Sequence, residues 1–173
     1  LLHRGESLAH PDFFKMVRYA HEAGIVTRFH TNGTLLTEDK ARELLDSGLD
    51  QFAFSFDGFD AETYENIRVN AKFEKTVGNI IRFLEIKKEL GAKKPVTFLE
   101  LIRFPEVFEK TGPEAQRKFL ERSKGLPLDT IHVKELHNWA GDAGGKERTE
   151  KPFGPCTFLW HALIIFWDGS VLP

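Results

Sequence analysis

Strand-like and helix-like segments alternate along most of this chain, and this alternation restricts its fold more than any other feature of the sequence. The strand-like segments are residues 25–30, 50–56, 95–104 and 130–136. The helix-like segments, in which apolar residues recur at helical spacing, are residues 10–23, 38–47, 61–68, 73–90 and 113–124. Because strands and helices that alternate through short loops form βαβ units, the sequence predicts an α/β fold with a mostly parallel sheet.

Polar segments follow three of the predicted strands, at the ends where parallel α/β sheets bind their ligands. They are residues 31–33, 55–58 and 138–142. A glycine–glutamate pair, Gly5 and Glu6, precedes the first predicted helix, where a further strand is expected to end. The sequence therefore predicts a site for a small charged ligand at this edge of the sheet.

Composition argues against several classes of partner. A formal net charge of −2 gives no electrostatic case for binding nucleic acid or an anionic membrane. No apolar run approaches the roughly 18 residues that a membrane span needs. The single cysteine excludes an internal disulfide framework, so we expect a cytoplasmic protein. Sixteen phenylalanines against two tyrosines predict aromatic rings that serve packing.

The character of the sequence changes after about residue 140. Residues 141–154 are rich in glycine and charge and predict a linker between residues 1–140 and a second domain at 155–173. Within the latter, residues 162–167 predict a strand, and Asp168-Gly169 predicts a hairpin turn that leads into a return strand. Since the chain begins at Leu1 near the expected end of a strand and ends at Pro173 within this hairpin, we expect it to be a piece of a longer protein.

The first candidate site residues also fit ordinary turns. Gly5 permits close approach of the backbone, and Glu6 could accept hydrogen bonds from a ligand ammonium, yet the pair equally fits a turn glycine beside a solvated acid. Asn32 belongs to an Asn-Gly pair, which is among the commonest turn sequences. On these residues alone both interpretations remain open.

Four further candidates are similarly open. Ser55 is a hydroxyl in an otherwise aromatic strand and could bind a carboxylate or a ribose if it points inward. Asp57 either lines the same pocket or caps the following helix. Arg68 is the natural partner of a ligand carboxylate, but it could also lie on a solvated helix end. Cys156, with no second cysteine beside it, also fits a small buried thiol.

Taken in order, these segments resemble the radical S-adenosylmethionine (SAM) enzymes that carry a C-terminal SPASM or Twitch-type auxiliary iron–sulfur domain. The resemblance lies in residues 5–12, 30–36, 55–58, 64–68, 156–160 and 167–173. It implies a partial (β/α)6 TIM-like barrel followed by the start of a small antiparallel SPASM-like or Twitch-like element. The sequence departs from the family in two respects. The family's Gly-Gly-Glu-Pro segment reads Arg4-Gly5-Glu6-Ser7, and the three-cysteine loop that binds a [4Fe–4S] cluster is absent from residues 1–173.

The resemblance also implies roles for the candidate residues. Glu6 would receive the amino group of SAM beside Gly5, and Asn32 would line the pocket. Ser55 and Arg68 would hold the carboxylate or the ribose. The cofactor-binding candidates are thus Gly5, Glu6, Asn32, Ser55, Asp57 and Arg68. Cys156 would be the first ligand of an auxiliary iron–sulfur cluster, and no protein residue is assigned a catalytic role.

The activity implied is reductive cleavage of SAM to a 5′-deoxyadenosyl radical, which abstracts hydrogen from a peptide, a protein or another bulky or small-molecule substrate. An electron donor such as flavodoxin or ferredoxin would be needed. Two alternatives are kept. One is a degenerate barrel that only binds a peptide or partner protein. The other is a different barrel enzyme that uses the acids Glu6, Asp57 and Glu100 for metal binding or acid–base chemistry.

Overall fold

The computed structural model describes residues 5–103, 105–135, 164–165 and 170–172, and the side chains of residues 103, 105–112, 135, 164–165 and 172 are outside that description. The chain divides into two compact units, Leu1–Leu136 and His137–Pro173. The predicted linker at 141–154 and Cys156 lie outside the described residues. The predicted domain boundaries at residues 140 and 155 therefore stay predictions.

The first unit alternates strands and helices as the sequence predicts. After a short 3-10 helix at Ser7–Ala9, its elements are α1 (Phe13–Glu22), β1 (Arg28–Thr31), α2 (Glu38–Asp46), β2 (Gln51–Ser55), α3 (Ala61–Ile67), α4 (Phe73–Glu89), β3 (Val96–Arg103), α5 (Pro105–Arg122) and β4 (Thr130–Glu135). The four strands form one parallel sheet in the order β1-β2-β3-β4. The prediction of an α/β fold with a parallel sheet is thereby confirmed, and the arrangement is consistent with part of a barrel.

The face of the sheet that meets the helices is aromatic. Phe29 of β1 stacks on Phe52 of β2 with ring centroids 5.2 Å apart, and Phe13 of α1 lies 4.6 Å from Phe29. Phe83 of α4 contacts Phe52 edge-on at 4.9 Å. All four rings are at most 1% exposed, so the expectation that phenylalanines serve packing is confirmed for this core.

Two predicted boundaries are wrong. The first predicted strand, 25–30, is shifted to Arg28–Thr31, because pairing with β2 begins only where Thr27 accepts a hydrogen bond from the Gln51 amide. Residues 25 and 26 are left 58% and 73% exposed. The helix predicted at 113–124 extends over Pro105–Arg122 and passes through Pro113. Pro105 takes the first position that the prediction gave to Pro113, and an interior proline costs a helix about 3 kcal/mol without always ending it.

A buried lysine ties α4 to the two strands beside it. The Lys87 ammonium, 2% exposed, lies 3.0 Å from the Asp129 carboxylate and donates to the Thr97 hydroxyl at 2.9 Å and the Pro127 carbonyl at 3.2 Å. Asp129 also accepts from the Thr97 amide at 2.7 Å. These bonds fix the start of β3 against the loop that precedes β4.

In the second unit, the structure describes one strand pair. Strands β5 (Ile164–Ile165) and β6 (Val171–Leu172) are antiparallel, which confirms the pairing predicted from the hairpin signal. The predicted turn at 168–169 falls outside the described residues. Among the helices that the structure describes, none is long and apolar enough to cross a membrane.

The Lys87 contacts give a testable prediction for stability. Asp129→Ala should lower the free energy of unfolding by about 2 to 3 kcal/mol, because it leaves a buried ammonium without its counter-ion. Lys87→Met should cost less, since Asp129 is 43% exposed and water can solvate it. Urea unfolding at neutral pH measures both. The exposed acid substitution Asp46→Ala is the control, and a loss no larger for Asp129→Ala than for Asp46→Ala would contradict the prediction.

Candidate functional site

Glu6 is held at the carboxyl end of β1. One carboxylate oxygen accepts hydrogen bonds from the Thr31 hydroxyl at 2.8 Å and from the Leu8 backbone amide at 3.2 Å. The other oxygen accepts a hydrogen bond from the Asn32 backbone amide at 2.8 Å. Gly5 reaches this position with a φ of +85°, in the region where glycine is favoured. A carboxylate offers about four lone-pair sites, so three protein donors orient Glu6 and still leave room for a ligand donor.

The loop after β1 is internally braced. The Asn32 side-chain oxygen accepts from the Thr34 amide at 2.9 Å and from its hydroxyl at 2.6 Å. The Gly33 carbonyl accepts from the Asn79 side chain at 2.9 Å, and a Cβ at Gly33 would lie 3.1 Å from the Thr76 methyl. Because the side-chain oxygen of Asn32 already accepts two hydrogen bonds within the loop, the side chain can offer a ligand only its amide nitrogen.

Asp57 and Arg68 form an ion pair beside the end of β2. The Arg68 Nη2 donates to Asp57 Oδ2, and Asp57 Oδ1 accepts from the Ile102 amide at 3.3 Å. The helix α3 is capped instead by Asp60, which accepts from the Thr63 amide at 2.9 Å. Asp57 is therefore not the helix cap that the sequence left as an alternative; it orients the guanidinium.

Ser55 lies on the inner face of the sheet, opposite the aromatic core. It is the last residue of β2 and pairs in register with Glu100 of β3, so the two side chains leave the sheet on the same side. Glu100 bonds to side chains of β1 and β4 on that side. The structure thus places Ser55 where a hydroxyl would face the interior of a barrel.

The same face carries a charged cluster that the sequence interpretation did not assemble. Glu100 lies 2.5 Å from Arg28, 3.1 Å from His30, 2.9 Å from Lys134 and 3.9 Å from His132. Burial raises the pKa of Glu100, but hydrogen bonds and charges from His30 and Lys134 outweigh it and hold that pKa at about 2. The sequence signal that could have revealed this cluster is the recurrence of ionisable residues at every second position of strands that are otherwise apolar.

His30 lies between the loop that holds Glu6 and the charged cluster around Glu100. Its imidazole contacts Glu100, while the next residue, Thr31, turns to the other side and donates to Glu6. The His30 side chain is 12% exposed and belongs to the charged cluster. One short strand therefore supports both the Glu6 loop and the Glu100 cluster.

The acids proposed for a metal or acid–base site are not brought together. Glu6 is bound by β1 donors, Asp57 by Arg68 and Glu100 by its own cations. Among the residues described, no group of three or more histidines, cysteines or acids could hold a metal ion. Cys156, the predicted cluster ligand, lies outside these residues. Nothing in the described geometry favours the acid-based alternative.

Comparison with known proteins defines the class. Residues 1–105 match the Radical SAM superfamily. A parallel βα sheet with polar groups at its carboxyl ends defines an α/β protein and is consistent with part of a barrel. Since the match covers more than half of its length, the chain belongs to the radical SAM superfamily. Membership in this superfamily supports an enzyme and implies SAM and a [4Fe–4S] cluster as cofactors.

Several curated relatives are similar to this chain. The AdoMet-dependent heme synthase of Methanosarcina barkeri is 40% identical over 81 residues, 46% of this chain and 23% of that protein. The tungsten-containing aldehyde ferredoxin oxidoreductase cofactor-modifying protein of Pyrococcus furiosus is 32% identical over 136 residues, which are 76% of this chain and 36% of that protein. The AdoMet-dependent heme synthase of Nitratidesulfovibrio vulgaris is 28% identical over 149 residues, which are 80% of this chain and 41% of that protein. The matched part of the chain thus spans less than half the length of each.

The residues present fit SAM but not the cluster. The Arg68 Nε is buried with no hydrogen-bond partner among the described residues, and Glu6 retains acceptor capacity. A guanidinium and a carboxylate complement the two charges of an amino-acid zwitterion. In contrast, the sequence holds one cysteine, and a [4Fe–4S] cluster is held by several thiolates.

The Glu100 cluster predicts a pH-dependent stability. Its folded pKa of about 2 lies below the ordinary value of 4.5, so the stabilisation is present above pH 4.5 and is lost as the pH falls towards 2. The shift corresponds to about 3 kcal/mol. Between pH 4.5 and pH 2, the free energy of unfolding of the wild type should therefore fall more than that of Glu100→Gln, by an amount of that order. Urea titrations at several pH values in this range measure both free energies. Equal slopes would contradict the assignment; Glu114→Gln, on the exposed face of α5, is the control.

Proposed function

We propose that the complete protein cleaves SAM reductively to a 5′-deoxyadenosyl radical, which abstracts hydrogen from a substrate. The observation that carries the proposal is the pair of complementary charges at the carboxyl end of the sheet, Glu6 and Arg68, each oriented by other protein groups. Superfamily membership supplies the chemical class.

Each candidate residue has a defined part in this proposal. Glu6 accepts hydrogen bonds from the SAM ammonium, with Gly5 leaving space for the methionine portion. Arg68 offers its Nε to the SAM carboxylate while Asp57 holds the other end of the guanidinium. Ser55 donates its hydroxyl to the carboxylate or the ribose from the inner face. Asn32 shapes the pocket wall and can donate its amide nitrogen.

A bound [4Fe–4S] cluster would supply the electron that breaks the carbon–sulfur bond of SAM. The single cysteine of residues 1–173 cannot hold such a cluster alone, so we propose that its ligands lie elsewhere in the complete protein. We propose that Cys156 binds an auxiliary iron–sulfur cluster in a SPASM-like or Twitch-like domain, and that flavodoxin or ferredoxin is the electron donor. These assignments rest on the sequence resemblance.

For the substrate, we propose a bulky molecule of the cofactor type. Among the three relatives described above, two are named for heme synthesis and one for modifying a cofactor. None of those three names mentions a peptide. The names therefore support this class over the peptide or protein that the SPASM-like end suggested.

Glu6→Gln tests the assigned cofactor site. The amide keeps one acceptor oxygen for the β1 loop but removes the charge that attracts the SAM ammonium. We expect SAM affinity to fall about tenfold to a hundredfold, as for a charged hydrogen bond of about 1.5–3 kcal/mol. Isothermal titration of the complete, reconstituted protein measures this change.

Glu62→Gln, on the exposed side of α3, is the matched control and should leave SAM affinity within twofold. Retention of wild-type affinity by Glu6→Gln, in a protein with an unchanged circular dichroism spectrum, would remove Glu6 from the site.

A second experiment tests the reaction itself. The full-length protein, prepared anaerobically with its natural N-terminus and reconstituted with iron and sulfide, should release 5′-deoxyadenosine from SAM when it is reduced with dithionite. Chromatography quantifies the product. A protein that binds SAM or a partner but shows neither a cluster spectrum nor cleavage would support the degenerate binding module instead.

A further inference from the structure

On the inner face of the sheet, four basic side chains of the described residues converge on one buried acid. Glu100 is 8% exposed and contacts two permanent cations, Arg28 and Lys134, together with the imidazoles of His30 and His132. Two permanent cations thus share one carboxylate among the described residues.

Three of the side chains that contact Glu100 stay accessible although Glu100 itself is buried. The side chains of Arg28, His132 and Lys134 are 40%, 44% and 50% exposed. Phe98 lies among them, with its ring centroid 5.3 Å from the Arg28 guanidinium carbon and 5.1 Å from the His132 ring. The face thus presents accessible positive charge beside an aromatic surface.

The position of this cluster relates it to the proposed SAM site. Glu100 pairs in register with Ser55, the last residue of β2, and His30 directly precedes Thr31, which holds Glu6. In this register Glu100 and His132 share a row with Ser55, whereas Lys134 lies two rows further towards the carboxyl ends and Arg28 lies four rows towards the amino ends. A group bound there would lie on the same side of the sheet as Ser55.

We propose that Arg28, His132 and Lys134 bind an anionic group of the substrate, a carboxylate or a phosphate, with Phe98 contacting the adjoining carbon skeleton. Glu100 contacts these side chains from within the wall, competes with the bound anion for them and does not touch the substrate. This inference rests on the proposed function only in treating the inner face as the substrate wall. Binding of anions by the face can be measured without turnover.

The test uses two free anions as probes on the full-length protein. Pyrophosphate represents a phosphate-bearing substrate, and tricarballylate represents a carboxylate-bearing one. Isothermal titration at low and high salt should show binding of at least one probe that weakens with salt, because the attraction is partly exposed to solvent. The tighter probe assigns the anionic group of the substrate.

Two substitutions with opposite expected effects on probe binding distinguish a change of charge from structural damage. Arg28→Gln combined with Lys134→Gln should weaken probe binding about tenfold, since two partly exposed charge pairs contribute up to about 1 kcal/mol each. Glu100→Gln should strengthen it several-fold, because it removes the competing carboxylate. General destabilisation would weaken binding in both proteins. The exposed pair Arg117→Gln with Lys118→Gln removes the same charges from α5 and should change nothing.

Three outcomes would overturn the inference: no binding of either probe by the wild type, unchanged binding in the Arg28/Lys134 variant, or weaker binding in Glu100→Gln. SAM affinity is measured on the same samples. Probe binding that behaves as expected in a protein that does not bind SAM would refute the proposed function alone. Normal SAM affinity without probe binding would refute the anion site alone.

Discussion

The in-register pairing of four parallel strands is the constraint on which both the core and the site depend. Side chains alternate along each strand, so one face receives the phenylalanines that pack against the helices and the other receives the charged residues. A slip of one residue in any strand would exchange these sets. Aromatic burial on one side thereby fixes the positions of ionisable groups on the other.

Strand β1 shows this coupling most directly. Its alternate residues Phe29 and Thr31 face one way, towards the core and the Glu6 loop, and Arg28 and His30 face Glu100. The carboxylates at the two places are held by different means, one by hydroxyl and backbone donors and the other by cations. The first arrangement leaves acceptor capacity on Glu6, and the second leaves the Arg28 and Lys134 side chains partly exposed.

Much of the fold was predictable because it depends on local pattern. Helical periodicity located the five α-helices that the structure describes in the first unit, and the Thr37 hydroxyl caps α2 by accepting a hydrogen bond from the Lys40 backbone amide. The boundaries that failed, at Arg28 and Pro105, depend on where pairing with a neighbouring strand starts and on which of two prolines opens a helix. The predicted site residues were found by motif order, but the contacts that orient Glu6 and Arg68 join residues 25 and 11 positions apart.

The sequence by itself determined the alternation of elements, the parallel sheet and the motifs that indicate a SAM-binding enzyme, since each is carried by residues near one another along the chain. Only the tertiary structure decided that Asp57 pairs with Arg68 and that Arg28 and Lys134 meet at Glu100. Such partners come from different strands and loops, and their distance is set by strand register and helix packing. Periodicity assigns a residue to a face, whereas the fold decides which charges share it.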